Sequence, residues 1–177
     1  GTFRSTDPAG IYFNNYTQNV DVLFNSVNLD NAATGLQSAA FKMISNCNGN
    51  IVKNNNFAVT NVNSSAYAVW TDNTSIFSSL NYNNYYKSSP TRLLNINNIV
   101  YNNINMIGAT GYNSNSVSIN PNYLSATNLR SNLSCNSGEN IATVTTDLLG
   151  NLRGALPSIG AYESTTKVAN DLAVIGI

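Results

Sequence analysis

Three stretches of the sequence share one pattern and decide the fold: Val22-Leu23-Phe24-Asn25-Ser26-Val27, Val52-Lys53-Asn54-Asn55-Asn56-Phe57 and Leu80-Asn81-Tyr82-Asn83-Asn84-Tyr85. In each stretch an aliphatic residue is followed by two others, then Asn, one other and an apolar residue. The stretches recur at intervals of about 28–30 residues, which lies in the range of solenoid repeats. A fourth stretch has the same pattern, Ile99-Val100-Tyr101-Asn102-Asn103-Ile104.

Companion strands are predicted between these stretches, at residues 10–13, 41–44, 66–70 and 92–96. They are short, rich in β-branched or aromatic residues, and bounded by Asn, Ser, Gly and Asp. No window carries a sustained apolar stripe with the 3.6-residue period of a helix. The sequence therefore predicts an all-β fold, a parallel β-helix of about three to four coils over residues 1–108, with two or three short strands in each coil.

The repeated Asn predicts the corners of the coils. A coil must turn sharply between strands, often through a left-handed residue, and Asn tolerates that conformation best after Gly. Its side-chain amide can also donate and accept hydrogen bonds along the stack. We therefore expect a ladder at one corner formed by Asn25, Asn55 and Asn83. One internal stack is expected to contain Val22, Val52 and Leu80.

Composition and charge exclude several classes of function. The chain of 177 residues is long enough for one domain with a real core. Charged residues make up only 9%, against about 25% in ordinary proteins, and Asn accounts for roughly one residue in five. The formal net charge is zero, so no basic surface for nucleic acid or an anionic membrane is expected. No apolar run approaches the roughly 20 residues of a membrane span.

Two motifs stand near the end of the chain: Asp147-Leu148-Leu149-Gly150-Asn151-Leu152-Arg153 and Ile159-Gly160-Ala161-Tyr162-Glu163. Gly150 permits a tight turn with positive φ. Arg153 and Glu163 can pair as guanidinium and carboxylate, while the apolar residues of the second motif can lie against the edge of a core.

These motifs resemble the closing segment of the right-handed parallel β-helix proteins of Bacteroidetes-type bacteria, which reads roughly D-x-x-G-x-x-R followed by IGAYE. Residues 67–86 resemble the penultimate coil of that family, and 115–125 resemble its "NSVSxDPxF" segment, with Asn120 in place of the usual Asp. Residues 127–140 resemble its next segment, with Cys135 and Gly138 in register and Asn128 replacing Asp. The resemblance covers roughly residues 10–163. It implies a right-handed β-helix with an irregular C-terminal capping segment at 109–163, and a secreted or cell-surface location reached through a type IX secretion system.

Three of the few charges lie in this closing segment. One interpretation is a binding or metal site. The interpretation that we favour is a structural cap that holds the closing segment over the last coil, formed by Asp147, Gly150, Arg153, Gly160, Tyr162 and Glu163. Lys87 is expected on a polar corner, where its removal would change stability little.

The sequence offers no obvious catalytic chemistry. It contains no His, which removes Ser-His and Cys-His nucleophilic sites and imidazole metal ligands. No two acidic residues lie within three positions of each other, whereas pectinolytic β-helix enzymes need clustered carboxylates. Carboxylates of adjacent coils could still meet, for instance Asp21 and Asp72. We expect no catalytic residues, no metal ligands and no cofactor.

The aromatic residues of two adjacent coils allow two interpretations. Side chains alternate along a strand, so some of these rings must face outward, and exposed rings beside Asn amides suit sugar binding. This gives a possible glycan platform of Trp70, Tyr82, Tyr85 and Tyr86. The alternative is that the rings stack inside the core.

The ends of the chain and the two cysteines carry further expectations. Residues 164–177 are interpreted as a linker and the first strand of a following immunoglobulin-like domain, the alternatives being a flexible tail or one extra edge strand. Gly1 and Ile177 look like cuts within a longer polypeptide. Cys47 and Cys135 could be bridged, although two free thiols are favoured.

Two classes of function remain open. The first is a non-catalytic structural or adhesive module of a large secreted or cell-surface bacterial protein, involved in glycan or surface attachment or in gliding motility. The alternative is the C-terminal part of a carbohydrate-active β-helix, similar to a polysaccharide lyase or hydrolase, whose catalytic coils precede Gly1.

Overall fold

The computed structural model describes residues 7–32, 34–35, 37–73, 75–89, 91–106, 112–131, 133 and 137–164. Cys135 and residues 165–177 lie outside them, so the bridge, most of the linker and the expected following strand are not described. Cys47 is a buried free thiol. It donates to the backbone oxygen of Ile44 over 3.2 Å.

The described residues form eleven short strands and one 3-10 turn. The strands are β1 (Ala9–Asn14), β2 (Asp21–Leu23), β3 (Ser26–Leu29), β4 (Ala39–Ile44), β5 (Asn50–Lys53), β6 (Asn56–Val59), β7 (Tyr67–Thr71), β8 (Phe77–Asn81), β9 (Asn84–Lys87), β10 (Leu94–Ile96) and β11 (Ile99–Tyr101). The 3-10 turn spans Ile104–Met106. Three sheets stack along the molecule, ordered β1-β4-β7-β10-β11, β2-β5-β8 and β3-β6-β9.

Pairing between successive coils is parallel in all three sheets. Val22 pairs with Val52 and Val52 pairs with Leu80, so equivalent residues of the repeat lie one above the next. The all-β prediction is confirmed, and the chain forms a parallel β-solenoid of about three turns.

The interior is filled by apolar side chains aligned along the stack. The ring of Phe41 stacks on that of Phe57 with centroids 5.0 Å apart, and Phe57 stacks on Tyr85 at 6.4 Å. All three rings are fully buried. Phe13 adds an edge-on contact to Phe41 at 6.3 Å. This aromatic row joins the coils through their centre.

The repeated corner turns at a different residue from the one expected. The residues with positive φ are Phe24, Asn54 and Tyr82, at 54°, 60° and 54°. Each of them directly precedes a ladder Asn. The expectation that the ladder Asn would take the left-handed conformation is therefore wrong. The turn sends the preceding side chain outward, and the ladder amide then points inward to bond to the neighbouring coils.

The fourth Asn stretch does not form a stacked coil. β10 pairs in parallel with β7, but β11 returns antiparallel to β10, with Ile96 opposite Ile99. The two linking residues, Asn97 and Asn98, both have positive φ, at 55° and 61°. Two consecutive left-handed residues form the tight hairpin turn that matches the twist of antiparallel strands.

The closing segment packs along the side of the solenoid rather than over its last coil. The N–H of Ala161 donates to Ser26 Oγ of the first coil over 2.9 Å. The N–H of Glu139 donates to Asn54 Oδ1 of the second coil over 2.9 Å. The expected position over the last coil is therefore wrong, because the closing segment bonds to the outward polar groups of this corner. The last coil is instead covered by β10, β11 and residues 112–119.

Candidate functional site

The Asn ladder runs through the corner between the second and third sheets. Both the backbone N–H and Nδ2 of Asn25 donate to Asn55 Oδ1 over 2.9 Å. The same two groups of Asn55 donate to Asn83 Oδ1 over 2.9 and 3.0 Å. Asn55 and Asn83 are fully buried. Asn55 and Asn83 thus each join their own coil to the preceding one, because the Oδ1 of each accepts two hydrogen bonds from the coil before it.

Ser116 continues the ladder beyond the third coil. The N–H of Asn83 donates to Ser116 Oγ over 3.0 Å, and Asn84 pairs with Val117 in a parallel bridge. Asn83 Nδ2 also donates to the hydroxyl oxygen of Tyr85, which in turn donates to Asn113 Oδ1 over 2.6 Å. Burial raises the pKa of Tyr85.

The closing segment is held by Arg153. Its Nη1 lies 2.7 Å from Glu163 Oε1, and the two side chains are only 3% and 9% exposed. The same guanidinium donates to the backbone oxygens of Thr146, Ser158 and Gly160 over 3.1–3.2 Å. Its Cζ lies 3.9 Å from the centre of the Phe24 ring. We name Arg153, Glu163 and Asp147 the clasp.

Asp147 closes a turn within the clasp. Its Oδ1 accepts the N–H groups of Leu149 and Asn151 over 2.8 Å, and its Oδ2 accepts the N–H of Glu163 over 2.8 Å. Burial would raise the pKa of this carboxyl, but these hydrogen bonds and the one from the Asn151 side chain lower it overall. The charge is thus stabilised by internal donors rather than directed toward an external ligand.

The remaining residues of the predicted cap have separate positions. Gly160 has φ of 101°, and a Cβ there would meet Ser26 Oγ at 2.6 Å. Gly150 has φ of 84° but no atom within 4 Å of such a Cβ, so only its backbone conformation requires glycine. The ring of Tyr162 lies 5.8 Å from the guanidinium of Arg130.

A second attachment of the closing segment was missed from the sequence. Glu139 Oε2 accepts a hydrogen bond from Lys53 Nζ over 2.6 Å. Its backbone oxygen accepts Asn54 Nδ2 over 2.8 Å. A Cβ at Gly138 would lie 2.3 Å from Asn54 Oδ1, so the close approach needs glycine. The sequence did not signal this contact, because the left-handed conformation that turns the Asn54 side chain outward is visible only in the structure.

The aromatic residues of the expected glycan platform do not share one surface. Tyr85 lies wholly inside the core and cannot contact an external ligand. Trp70 is 6% exposed, and Lys42 Nζ lies 5.1 Å from its ring. Tyr82 and Tyr86 are half-buried. Strand alternation explains the difference, because Tyr85 occupies the inward position that Phe57 holds in the preceding coil.

Lys87 differs from its expected position on a polar corner. It is only 7% exposed, and its Nζ donates to the backbone oxygens of Ser64 and Ala66 over 3.0 and 2.6 Å. Burial, together with the charge of Arg92, lowers the pKa of Lys87 to about 8. It is paired in register with Val59, an interior position. The expected position on a polar corner is therefore wrong, and so is the reason for expecting that removal of Lys87 would change stability little.

A shallow polar groove lies beside the third sheet, with a volume of about 310 Å³. It is lined by Asn28, Thr60, Asn120, Asn122, Tyr123, Ser125 and Ala126. These side chains are uncharged amides, hydroxyls, one methyl group and one aromatic ring. Thr60 Oγ1 donates to Asn28 Oδ1 over 2.9 Å, which fixes one wall of the groove.

Among the described residues, no group of three His, Cys, Asp or Glu side chains could hold a metal ion. That same part of the chain contains no helix of the length and apolarity needed to cross a membrane. Comparison with protein-family models, with curated proteins and with solved structures finds no match for this chain.

Proposed function

We propose that this chain is a non-catalytic structural and adhesive module of a large secreted or cell-surface bacterial protein. The observation that carries the proposal is the clasp. Arg153 donates to one carboxylate and to three backbone oxygens, and it also lies against Phe24. Charges used in this way hold a segment in place rather than act on a substrate.

The finer assignment follows the sequence resemblance. By this proposal the chain is one of the right-handed β-helix proteins of Bacteroidetes-type bacteria that are exported by type IX secretion, and it acts in attachment or gliding. An immunoglobulin-like domain follows it in that assignment. The resemblance of residues 115–125 and 147–163 supports the proposal.

The adhesive surface that we assign is the groove beside Tyr123. Amide and hydroxyl groups together with an aromatic ring match the hydroxyls and apolar faces of sugars. No side chain lining the groove carries a charge, so a neutral glycan is expected.

A glycan array and a degradation assay test this proposal together. The purified chain should bind neutral glycans. Ala126→Arg should weaken binding at least about tenfold by filling the groove, a loss of about 1.4 kcal/mol. The matched control is Leu152→Arg, at an exposed residue that does not line the groove, which should bind like the parent. Binding lost equally in both variants, or absent from the parent, would refute the adhesive role. Release of unsaturated or reducing sugars from polygalacturonate, with or without calcium, would refute the non-catalytic role.

A further inference from the structure

The two ends of the solenoid are covered differently. The third coil is covered by β10, β11 and residues 112–119, whereas no described element pairs with the outer edges of β1, β2 and β3. Core positions of the first coil are only partly buried, while the paired positions of the second coil are fully buried. The paired positions are Ile11 with Phe41, Phe13 with Met43, Val27 with Phe57 and Leu29 with Val59. We name the outer edges of β1–β3, with these four first-coil residues, the first-coil face.

The ladder ends at this face on an acceptor. Asn55 Oδ1 and Asn83 Oδ1 each receive two hydrogen bonds from the coil before them. Asn25 occupies the equivalent position, but no hydrogen bond to its Oδ1 comes from the described residues. In a further coil of the same pattern, the N–H and Nδ2 of another Asn would donate to Asn25 Oδ1, as those of Asn25 donate to Asn55 Oδ1.

Backbone N–H groups of the first coil also point toward this open face. In the second coil, the N–H of Ile51 donates to Val20 O over 3.0 Å, and that of Asn56 donates to Asn25 O over 2.7 Å. Asp21 pairs with Ile51 and Ser26 pairs with Asn56, so their N–H groups point to the open side of the first coil. Unpaired edges of this kind are templates for a further strand.

We infer that the first-coil face is a docking surface for one more parallel coil, which stacks on the outer edges of β1–β3 and carries Asn at the ladder corner. Its strands would cover the half-buried apolar residues, and its Asn would donate to Asn25 Oδ1. The separation of Asn25 and Asn55 sets its length at 30 residues. This inference deepens the proposed function and rests on it for its biological setting only.

A tandem duplication of residues 9–38 within the full chain tests the inference, since it supplies a coil of matching length and pattern. Amide hydrogen exchange at Asp21 and Ser26 of the original coil should slow at least about tenfold relative to the parent. The melting temperature should rise by several degrees because the exposed end of the core is covered. The matched control is the same duplication with Asn25→Ala in the added copy alone, which should lose part of both gains.

Unchanged exchange at Asp21 and Ser26 in a folded, duplicated chain would overturn the inference. A parent chain that is dimeric in sedimentation, with these two amides already protected, would also overturn it, because a second copy would then be the occupant. Neither result depends on the glycan array, so failure of this inference is distinguishable from failure of the proposed function.

Discussion

At the residue scale, the side chain of Arg153 supplements the sparse backbone pairing of the closing segment. Residues 137–164 contain isolated bridges, such as Thr146 with Leu152, but no named strand, so part of their backbone polar groups need side-chain partners. One guanidinium satisfies three backbone oxygens and a carboxylate at once. Lys87 illustrates a different case, a buried cation that donates to two backbone oxygens, those of Ser64 and Ala66.

Replacing Arg153 by Ala should destabilise the fold by about 3–5 kcal/mol, because the buried carboxylate of Glu163 loses the guanidinium that compensates its charge. The melting temperature should fall by roughly 10 °C, as measured by thermal unfolding. Arg130→Ala is the control, because this exposed side chain lies against the Tyr162 ring and is not part of the clasp. If both variants melt like the parent, the clasp does not stabilise the closing segment.

Lys87 should make stability depend on pH. Its pKa is about 8 in the folded protein against 10.5 ordinarily, so the unfolded chain binds more protons between these values. Stability should therefore rise with pH in this window, and the cost of the buried charge is fully present below it. Urea unfolding from about pH 8 to pH 10 should show this rise in the parent and a flatter profile in Lys87→Met. Higher pH is avoided because burial raises the pKa of Tyr85, so stability falls once tyrosines of the unfolded chain ionise. Identical slopes in the two proteins would contradict the prediction.

At the element scale, each coil depends on the ladder as well as on apolar packing. The corner brings strand ends together where ordinary sheet pairing stops, and the ladder amides bond there to both neighbouring coils. Asn55 is the central member, with donors or acceptors in the first, second and third coils.

The ladder predicts an order of destabilisation among Asn variants. Asn55→Ala leaves the N–H of Asn25 without its acceptor and removes one donor from the backbone oxygen of Val22, and a buried group left unsatisfied costs about 1–3 kcal/mol. Asn25→Ala removes donors from one end only and should cost less. Asn31→Ala, at an exposed position, should change the free energy of unfolding little. Urea denaturation measures all three variants, and equal effects would show that the ladder is not a source of stability.

At the scale of the whole molecule, the closing segment ties the end of the described chain to its beginning. Ala161 and Ser26 are separated by 135 residues, and Glu139 and Lys53 by 86. Contacts of such large sequence separation slow folding, because the intervening chain must be ordered first. They also join the coils along one side of the molecule.

Gly160→Ala should break the contact between the closing segment and Ser26 of the first coil. The added Cβ would meet Ser26 Oγ at 2.6 Å, and φ of 101° is unfavourable for alanine. We expect faster amide exchange at Ala161 and faster proteolysis within residues 137–164, with little change in β4–β9. Gly154→Ala is the matched control, because its Cβ would meet no atom within 4 Å. Equal protection of Ala161 in both variants would show that the lateral contact is dispensable.

The sequence by itself determined the all-β class, the repeat and its approximate length. These are properties of local pattern, since Val22, Val52 and Leu80 mark the same position of each coil and Asn recurs three residues later. The pairing of Arg153 with Glu163 was also readable, because few charges compete in a chain that is only 9% charged.

Only the tertiary structure decided which residue turns each corner, where the closing segment lies and which aromatic rings are buried. A repeated Asn does not reveal whether it adopts the left-handed conformation or follows the residue that does, as Phe24 shows. Asn97 and Asn98 reverse the fourth stretch although its pattern matches the others. The burial of Lys87 and the lateral course of residues 137–164 depend on contacts between residues far apart in the chain, and local sequence pattern carries no information about those contacts.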